Sequence, residues 1–291
     1  MFRLLGTTFA ALLGLAFGSF LNVCLSRWPE GESVVHPRSH CRTCNRTLTW
    51  WENIPVLSWL FLRGRCRTCG SPIHWRYPLV EAAVAILWAI CAWRFFPVLP
   101  DIGDSTITVS FSLGYLFEHF ALFPLCWLLV ALALLDLEHL WVPDFLTVPG
   151  IVAGLLFTTV FEHLSYHFDT IHRPLHALVN GVIAVLAAAA LILVIRLIYW
   201  LFRRKEGIGL GDAKLMALLA AWLGLPGALL AFFIGVILGA LVAVPLLIVQ
   251  NAKHTGGVAK LPLGTFLCIG GIVSALWGQP ILTAYLRWSG F

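Results

Sequence analysis

Glu206-Gly-Ile-Gly-Leu-Gly-Asp-Ala-Lys214 governs how the rest of this chain is read. Its three glycines, at every second position, follow Arg203, Arg204 and Lys205, and an apolar run from Leu215 to Leu225 comes directly after. Glycine permits positive φ and close backbone approach, so the stretch predicts a tight, bare loop feeding a helix. Asp212 therefore stands at the doorstep of a membrane-length segment. A carboxylate at such a place is expensive and points to function, unless it only caps a helix N-terminus. What separates the two readings is whether the chain offers Asp212 a partner.

Composition fixes the setting. Of 291 residues, 60% are hydrophobic and 11% charged, with a mean hydropathy of +0.89, whereas soluble domains carry roughly 25% charged residues. The expected fold is an all-α polytopic membrane protein with about eight transmembrane helices of about 20 residues each. The spans expected are Leu4–Cys24, Pro78–Phe96, Phe111–Leu135, Phe145–Phe161, Leu175–Phe202, Ala213–Leu225, Ala228–Val249 and Leu261–Tyr285, with a turn at Pro226-Gly227 between the sixth and seventh. The first run is too long for a signal-peptide core and is read as retained. Three regions follow: 1–25 as the first helix, 26–77 as a polar loop, and 78–291 as a membrane core of seven helices.

The net charge of +5 does not point to nucleic acid, because the basic residues are grouped by loop and report topology. Eight arginines lie in 26–77, and further basic residues lie at 203–205, Lys253 and Lys260. These are alternate loops. The positive-inside rule puts them in the cytoplasm and the N-terminus outside. His163, His167, His172 and His176 then fall on or near the outer side, as a solvated stretch.

On this topology the turn after the third span is also cytoplasmic. It holds Asp136 and Asp144. Asp144 follows Pro143 and precedes Phe145, so it reads as an N-cap. Asp136 ends an apolar run from Ala121, at a helix C-terminus where the dipole disfavours negative charge. It needs a partner or a job. If it faces Asp212, the two form a paired-carboxylate site that holds one proton between like charges. One carboxylate can activate a water and the other can protonate a carbonyl oxygen. Gly209, Gly211 and Lys214 belong to the loop that presents the site. No Gly-x-Ser-x-Gly or His-Glu-x-x-His motif competes.

The polar loop carries Cys41-Arg-Thr-Cys44 and, 21 residues on, Cys66-Arg-Thr-Cys69. Two such pairs form a zinc-ribbon pattern, and a cytoplasmic loop keeps thiols reduced. Structural Zn2+ on Cys41, Cys44, Cys66 and Cys69 is expected, because four thiolates leave no open position. Cys24, Cys91, Cys126 and Cys268 lie in or at the ends of spans and read as packing residues. Between the pairs, Leu48 to Leu60 is too apolar for an ordinary loop, and its tryptophans suit the membrane interface.

These motifs together resemble the type IV prepilin peptidases, bifunctional leader peptidase and N-methyltransferase enzymes of bacterial inner membranes. The matching stretches are Gly18 to Arg27, the two cysteine pairs, Trp51 to Trp59, Arg76-Tyr-Pro-Leu-Val-Glu81, Asp136 to Asp144, and Gly207 to Lys214. They run in the family's order over nearly the whole chain. The resemblance implies a Gly-x-Gly-Asp membrane aspartic protease with Asp136 and Asp212 as its catalytic pair. It implies prepilin or pseudopilin substrates with a short basic leader, cut after glycine, and methylation of the new N-terminus from S-adenosylmethionine. Glu81 and Asn22, polar residues in apolar surroundings within matching motifs, are expected to position the new amine or the methyl donor. Two departures stand out: Arg42 where many members have proline, and Pro262-Leu-Gly-Thr265 where the family often has Pro-Phe-Gly-Pro. Alternative readings are a peptidase without methylation, a cation-coupled transporter, and a non-enzymatic zinc-ribbon assembly factor.

Overall fold

The computed structural model describes residues 2–95, 113–165, 172–204, 209–252 and 261–290. Among these residues the regular structure is helical: α1 (Phe2–Arg27), α2 (Leu57–Phe61), α3 (Arg76–Phe95), α4 (Leu113–His139), α5 (Asp144–Ser165), α6 (His172–Arg203), α7 (Leu210–Ala252) and α8 (Leu263–Ser289). Short 3-10 turns cover Trp28–Glu30 and Trp50–Asn53. Six helices are long and apolar enough to cross a membrane, and α5 contributes a shorter apolar stretch, Asp144–Val160. The longest, α7, is broken at Gly224, which adopts φ 67° and ψ 175°. Counting its two arms separately, and adding α5, recovers the eight apolar helices expected.

The break falls two residues before the expected Pro226-Gly227 turn. The reason is local. Gly224 alone takes the left-handed φ that stops the first arm, and Pro226 then sits in the first turn of the second arm, where a missing N–H costs nothing. Residues 166–171, 205–208 and 253–260 lie outside the described residues, and with them His167, Gly207 and Lys253.

The chain divides into two units, Met1–Phe111 and Ser112–Phe291. In the first, α3 packs along α1. Gly14 and Gly18, four residues apart on α1, let the backbones meet. A Cβ on Gly14 would lie 2.7 Å from Ala85 Cα, and one on Gly18 would lie 2.7 Å from Glu81 Cα. Lipid tails are as apolar as leucine, so close contact of this kind, rather than a hydrophobic gain, holds membrane helices together.

In the second unit α7 lies between α5, α6 and α8, and α4 packs on α8 and α5. Leu125, Leu129 and Leu132 of α4 interlock with Leu215, Leu218 and Leu219 of α7 and with Leu267 of α8. Trp222 of α7 donates from its indole to the Gly150 carbonyl of α5 at 2.9 Å. The outer face of α6 keeps large apolar side chains exposed, including Leu186, Val194 and Leu197, as a lipid-facing helix does. This packing fixes the ends of α4, α7 and α8, where the carboxylates lie.

Candidate active site and cysteine centre

Asp136 lies in the last turn of α4, and Asp212 in the first turn of α7. Both are buried, at 6% and 8% exposure, and their carboxylates are near enough to interact electrostatically. The two aspartates expected to pair across 76 positions of sequence thus both lie buried at helix ends.

The dipole problem at the end of α4 is met by α8. Pro262 precedes that helix and makes no side-chain cap. Asp136 supplies one from another helix: its Oδ2 accepts the Thr265 backbone N–H at 2.7 Å, with the Thr265 hydroxyl 3.2 Å away. The same hydroxyl lies 2.9 Å from the Ala133 carbonyl, one turn earlier on α4. A negative charge unwelcome at one helix C-terminus thus sits at another helix N-terminus, where it is stabilised. Gly264 has to be bare for this, because a Cβ there would come within 2.9 Å of the Asp136 carboxyl carbon.

Asp212 is held more lightly. Its Oδ2 accepts the Gly209 N–H at 3.3 Å. Gly211 leaves room for Val142 of the α4–α5 turn, which would stand 3.1 Å from a Cβ at that position. Asp144 opens α5 as expected, but the ladder of that helix starts from the Pro143 carbonyl, which accepts the Thr147 N–H at 3.1 Å. The Asp144 carboxylate instead accepts a hydrogen bond from Lys214 Nζ, an exposed pair that ties the start of α5 to the start of α7. Of the three loop positions read from sequence, Gly209 bonds Asp212, Gly211 lies beside Val142, and Lys214 pairs with Asp144.

The cysteine centre lies in the first unit. Sγ atoms of Cys41, Cys44, Cys66 and Cys69 all fall within 4.8 Å of one another, and Cys41 and Cys69 Sγ are 3.8 Å apart. Tetrahedral zinc with Zn–S bonds of about 2.3 Å requires sulfur separations of about 3.8 Å, so the donor set fits that ion. The two knuckles are built alike. In each, the first cysteine carbonyl accepts the N–H four residues on, from Asn45 at 2.8 Å and from Gly70 at 2.9 Å. Both of those residues take positive φ, 54° and 72°, which asparagine and glycine tolerate best. Single bridges close the two loops, His40 with Thr47 and Arg65 with Pro72.

Between the knuckles, Arg46 grips buried Glu52 with two bonds of 2.6 and 3.1 Å, and Thr49 adds its N–H and hydroxyl to the same carboxylate. The Arg46 guanidinium, against some desolvation, holds the Glu52 carboxyl down to about 2. Neither residue stood out in the sequence. Trp50 and Phe61, flanking this knot, are largely exposed. The segment is anchored from beneath: Glu81 of α3 accepts the Val56 N–H at 2.6 Å. Val56 itself has φ 59°, an outlying conformation for a β-branched residue. Ser19 and Asn22 of α1 also reach Glu81. Asn22 donates to the Tyr77 carbonyl at 2.9 Å, while its Oδ1 is buried with no hydrogen-bond partner. The two polar residues singled out by sequence are therefore one cluster. Cys24, Cys91, Cys126 and Cys268 are buried, as expected.

Comparison with known proteins follows the same division. A family model described as the Bacterial Peptidase A24 N-terminal domain matches residues 12–95, and one described as the Type IV leader peptidase family matches residues 123–244. Relatives named prepilin leader peptidase/N-methyltransferase are similar over nearly the full length. One from Pseudomonas putida is 36% identical, covering 98% of this chain and 95% of the relative. One from Aeromonas hydrophila is 35% identical, covering 94% and 92%. One from Pseudomonas aeruginosa PAO1 is 33% identical, covering 96% and 93%. No solved structure matches. With both of its halves matched and such relatives along nearly its whole length, the chain belongs to the type IV leader peptidase family.

Proposed function

We propose that this protein removes the short basic leader of type IV prepilins and pseudopilins after a glycine, and then methylates the new N-terminal residue. The observation that supports the peptidase half is the burial of two carboxylates, Asp136 at the end of α4 and Asp212 at the start of α7, in a family of leader peptidases. One carboxylate takes a proton from a water that attacks the scissile carbonyl. The other gives its proton to the carbonyl oxygen; as the gem-diol collapses, the first passes the proton taken from water to the departing amine and the second regains one from a diol hydroxyl. No covalent intermediate with the protein is needed.

The protein is read as a multi-pass protein of the bacterial inner membrane, with its N-terminus outside. The cysteine module and both aspartates face the cytoplasm. Grouping of the arginines supports this orientation, as does the placing of Asp136 at the exit of α4 and Asp212 at the entry of α7. Zinc on Cys41, Cys44, Cys66 and Cys69 is structural. It fixes the knuckles that present the exposed Trp50 and Phe61 to the bilayer surface.

For methylation, S-adenosylmethionine supplies an electrophilic methyl group when bound. The cluster of Glu81 and Asn22 is assigned to the acceptor: the orphaned Asn22 Oδ1 suits an amine donor, and Glu81 beside it suits a positive one. The test is mass spectrometry of a prepilin incubated with the purified protein and S-adenosylmethionine. The reading predicts a product cut after the leader glycine and heavier by one methyl group. An uncut prepilin would refute the peptidase, and a cut but unmethylated one the methyltransferase. Normal methylation by Glu81→Ala would remove Glu81 from that role.

A further inference from the structure

Thr265, the third residue of α8, is bonded to Asp136 through both its N–H and its hydroxyl. We propose that Thr265 is a positioning residue for cleavage: its N–H and hydroxyl fix Oδ2 of Asp136 and leave Oδ1 to face the water and Asp212. The inference rests on Asp136 belonging to the catalytic pair.

The N–H is a fixed donor. It points along the axis of α8 and reaches Oδ2 at 2.7 Å whatever the carboxyl carries. The hydroxyl is different, because it has one proton and two acceptors in reach, Ala133 O at 2.9 Å and Asp136 Oδ2 at 3.2 Å. When Asp136 is ionised, the hydroxyl donates to Oδ2. When a proton sits on Oδ2, that O–H donates to Thr265 Oγ1, and the threonine proton turns to the Ala133 carbonyl. Both states are satisfied with no heavy atom moving. A hydrolysis that passes a proton through the pair needs such tolerance, since a buried group left unpaired in either state is costly. Valine at 265 would keep only the N–H, whereas serine would keep both donors.

The Gly264 N–H is a second backbone donor to the Asp136 carboxyl, but it lacks the two-way hydroxyl of Thr265. Asp212 on α7 is the partner of Asp136, Cys268 is fully buried one turn further along α8, and the Leu215 side chain is apolar. Lys214 is engaged with Asp144.

The experiment measures kcat and KM for prepilin cleavage by the purified full-length protein, with Asp136→Asn as the inactive reference. Hydrogen bonds to charged groups predict that Thr265→Val loses about tenfold or more in kcat with KM nearly unchanged. Thr265→Ser recovers most of that loss. A valine variant as fast as wild type overturns the proposal. So does a serine variant as slow as valine, because the methyl group and not the hydroxyl would then matter. If wild type itself fails to cleave, the catalytic pair has failed first, and this inference falls with it.

Discussion

Gly264→Ala offers the sharpest test of how tightly the site is built. Gly264 is second in α8, wedged between Asp136 and Leu215. A methyl there would lie 2.9 Å from Asp136 Cγ and Oδ2 and 2.8 Å from Leu215 Cδ1. Ordinary contact begins near 3.4 Å, so something must retreat by about 0.5 Å. Leu215 is fully buried, and the chain beyond it is packed, so the carboxylate moves. A misplacement of 1 Å costs about a hundredfold in rate, and half of that about tenfold. Gly264→Val should cost about a hundredfold or more on the same scale. Overpacking also lowers stability, by about 1–3 kcal/mol, so initial cleavage rates are normalised to folded protein and read beside thermal stability. Gly271→Ala is the control. On the same helix it presses on Leu219 and Leu129 and not on a carboxylate. It should lose stability while keeping kcat. Wild-type cleavage by Gly264→Ala would refute the claim that the Asp136 carboxylate occupies the space beside this glycine.

Three further outcomes follow from the same structure. Purified protein should carry about one zinc per chain by metal analysis, and Cys41→Ser or Cys66→Ser should lose it along with protease resistance of residues 26–77. Asp144→Asn should keep cleavage within a few-fold, because an exposed ion pair contributes only about 0–1 kcal/mol. Finally, Glu52 has a folded value of about 2, below its ordinary value of 4.5. Its ionised form therefore adds stability that is fully present above 4.5 and is lost as pH falls towards 2. The gap in protease resistance between wild type and Glu52→Gln should be constant above that window and close within it; a gap that widens on acidification would contradict the clamp.

Much of this was legible in the sequence because the signals are local. Membrane spans announce themselves by length and polarity. The cysteine pairs announce themselves by spacing, and each knuckle closes on its own next five residues. Asp136 could be preferred to Asp144 because a helix C-terminus offers no excuse for a carboxylate, whereas Pro143 supplies one for its neighbour. What escaped depends on distance along the chain or on one dihedral. Thr265 is 129 positions from Asp136, and nothing in Pro-Leu-Gly-Thr announces a cap for another helix. Arg46 and Glu52 looked like ordinary loop charges, since burial of their pair follows from how the knuckles fold. Proline beside glycine at 226–227 reads as a turn, yet the chain breaks at Gly224, where positive φ is needed. The Glu81 cluster was visible as two misplaced polar residues, but not its grip on the strained Val56.

The central claim is that Asp136 and Asp212 act as one pair. The measurement is prepilin cleavage by membranes containing wild type, Asp136→Asn, Asp212→Asn or Asp144→Asn at matched levels. The account predicts that wild type and Asp144→Asn cut after the leader glycine while each of the other two is inactive though inserted. Cleavage by Asp136→Asn, with Asp144→Asn inactive, would contradict it.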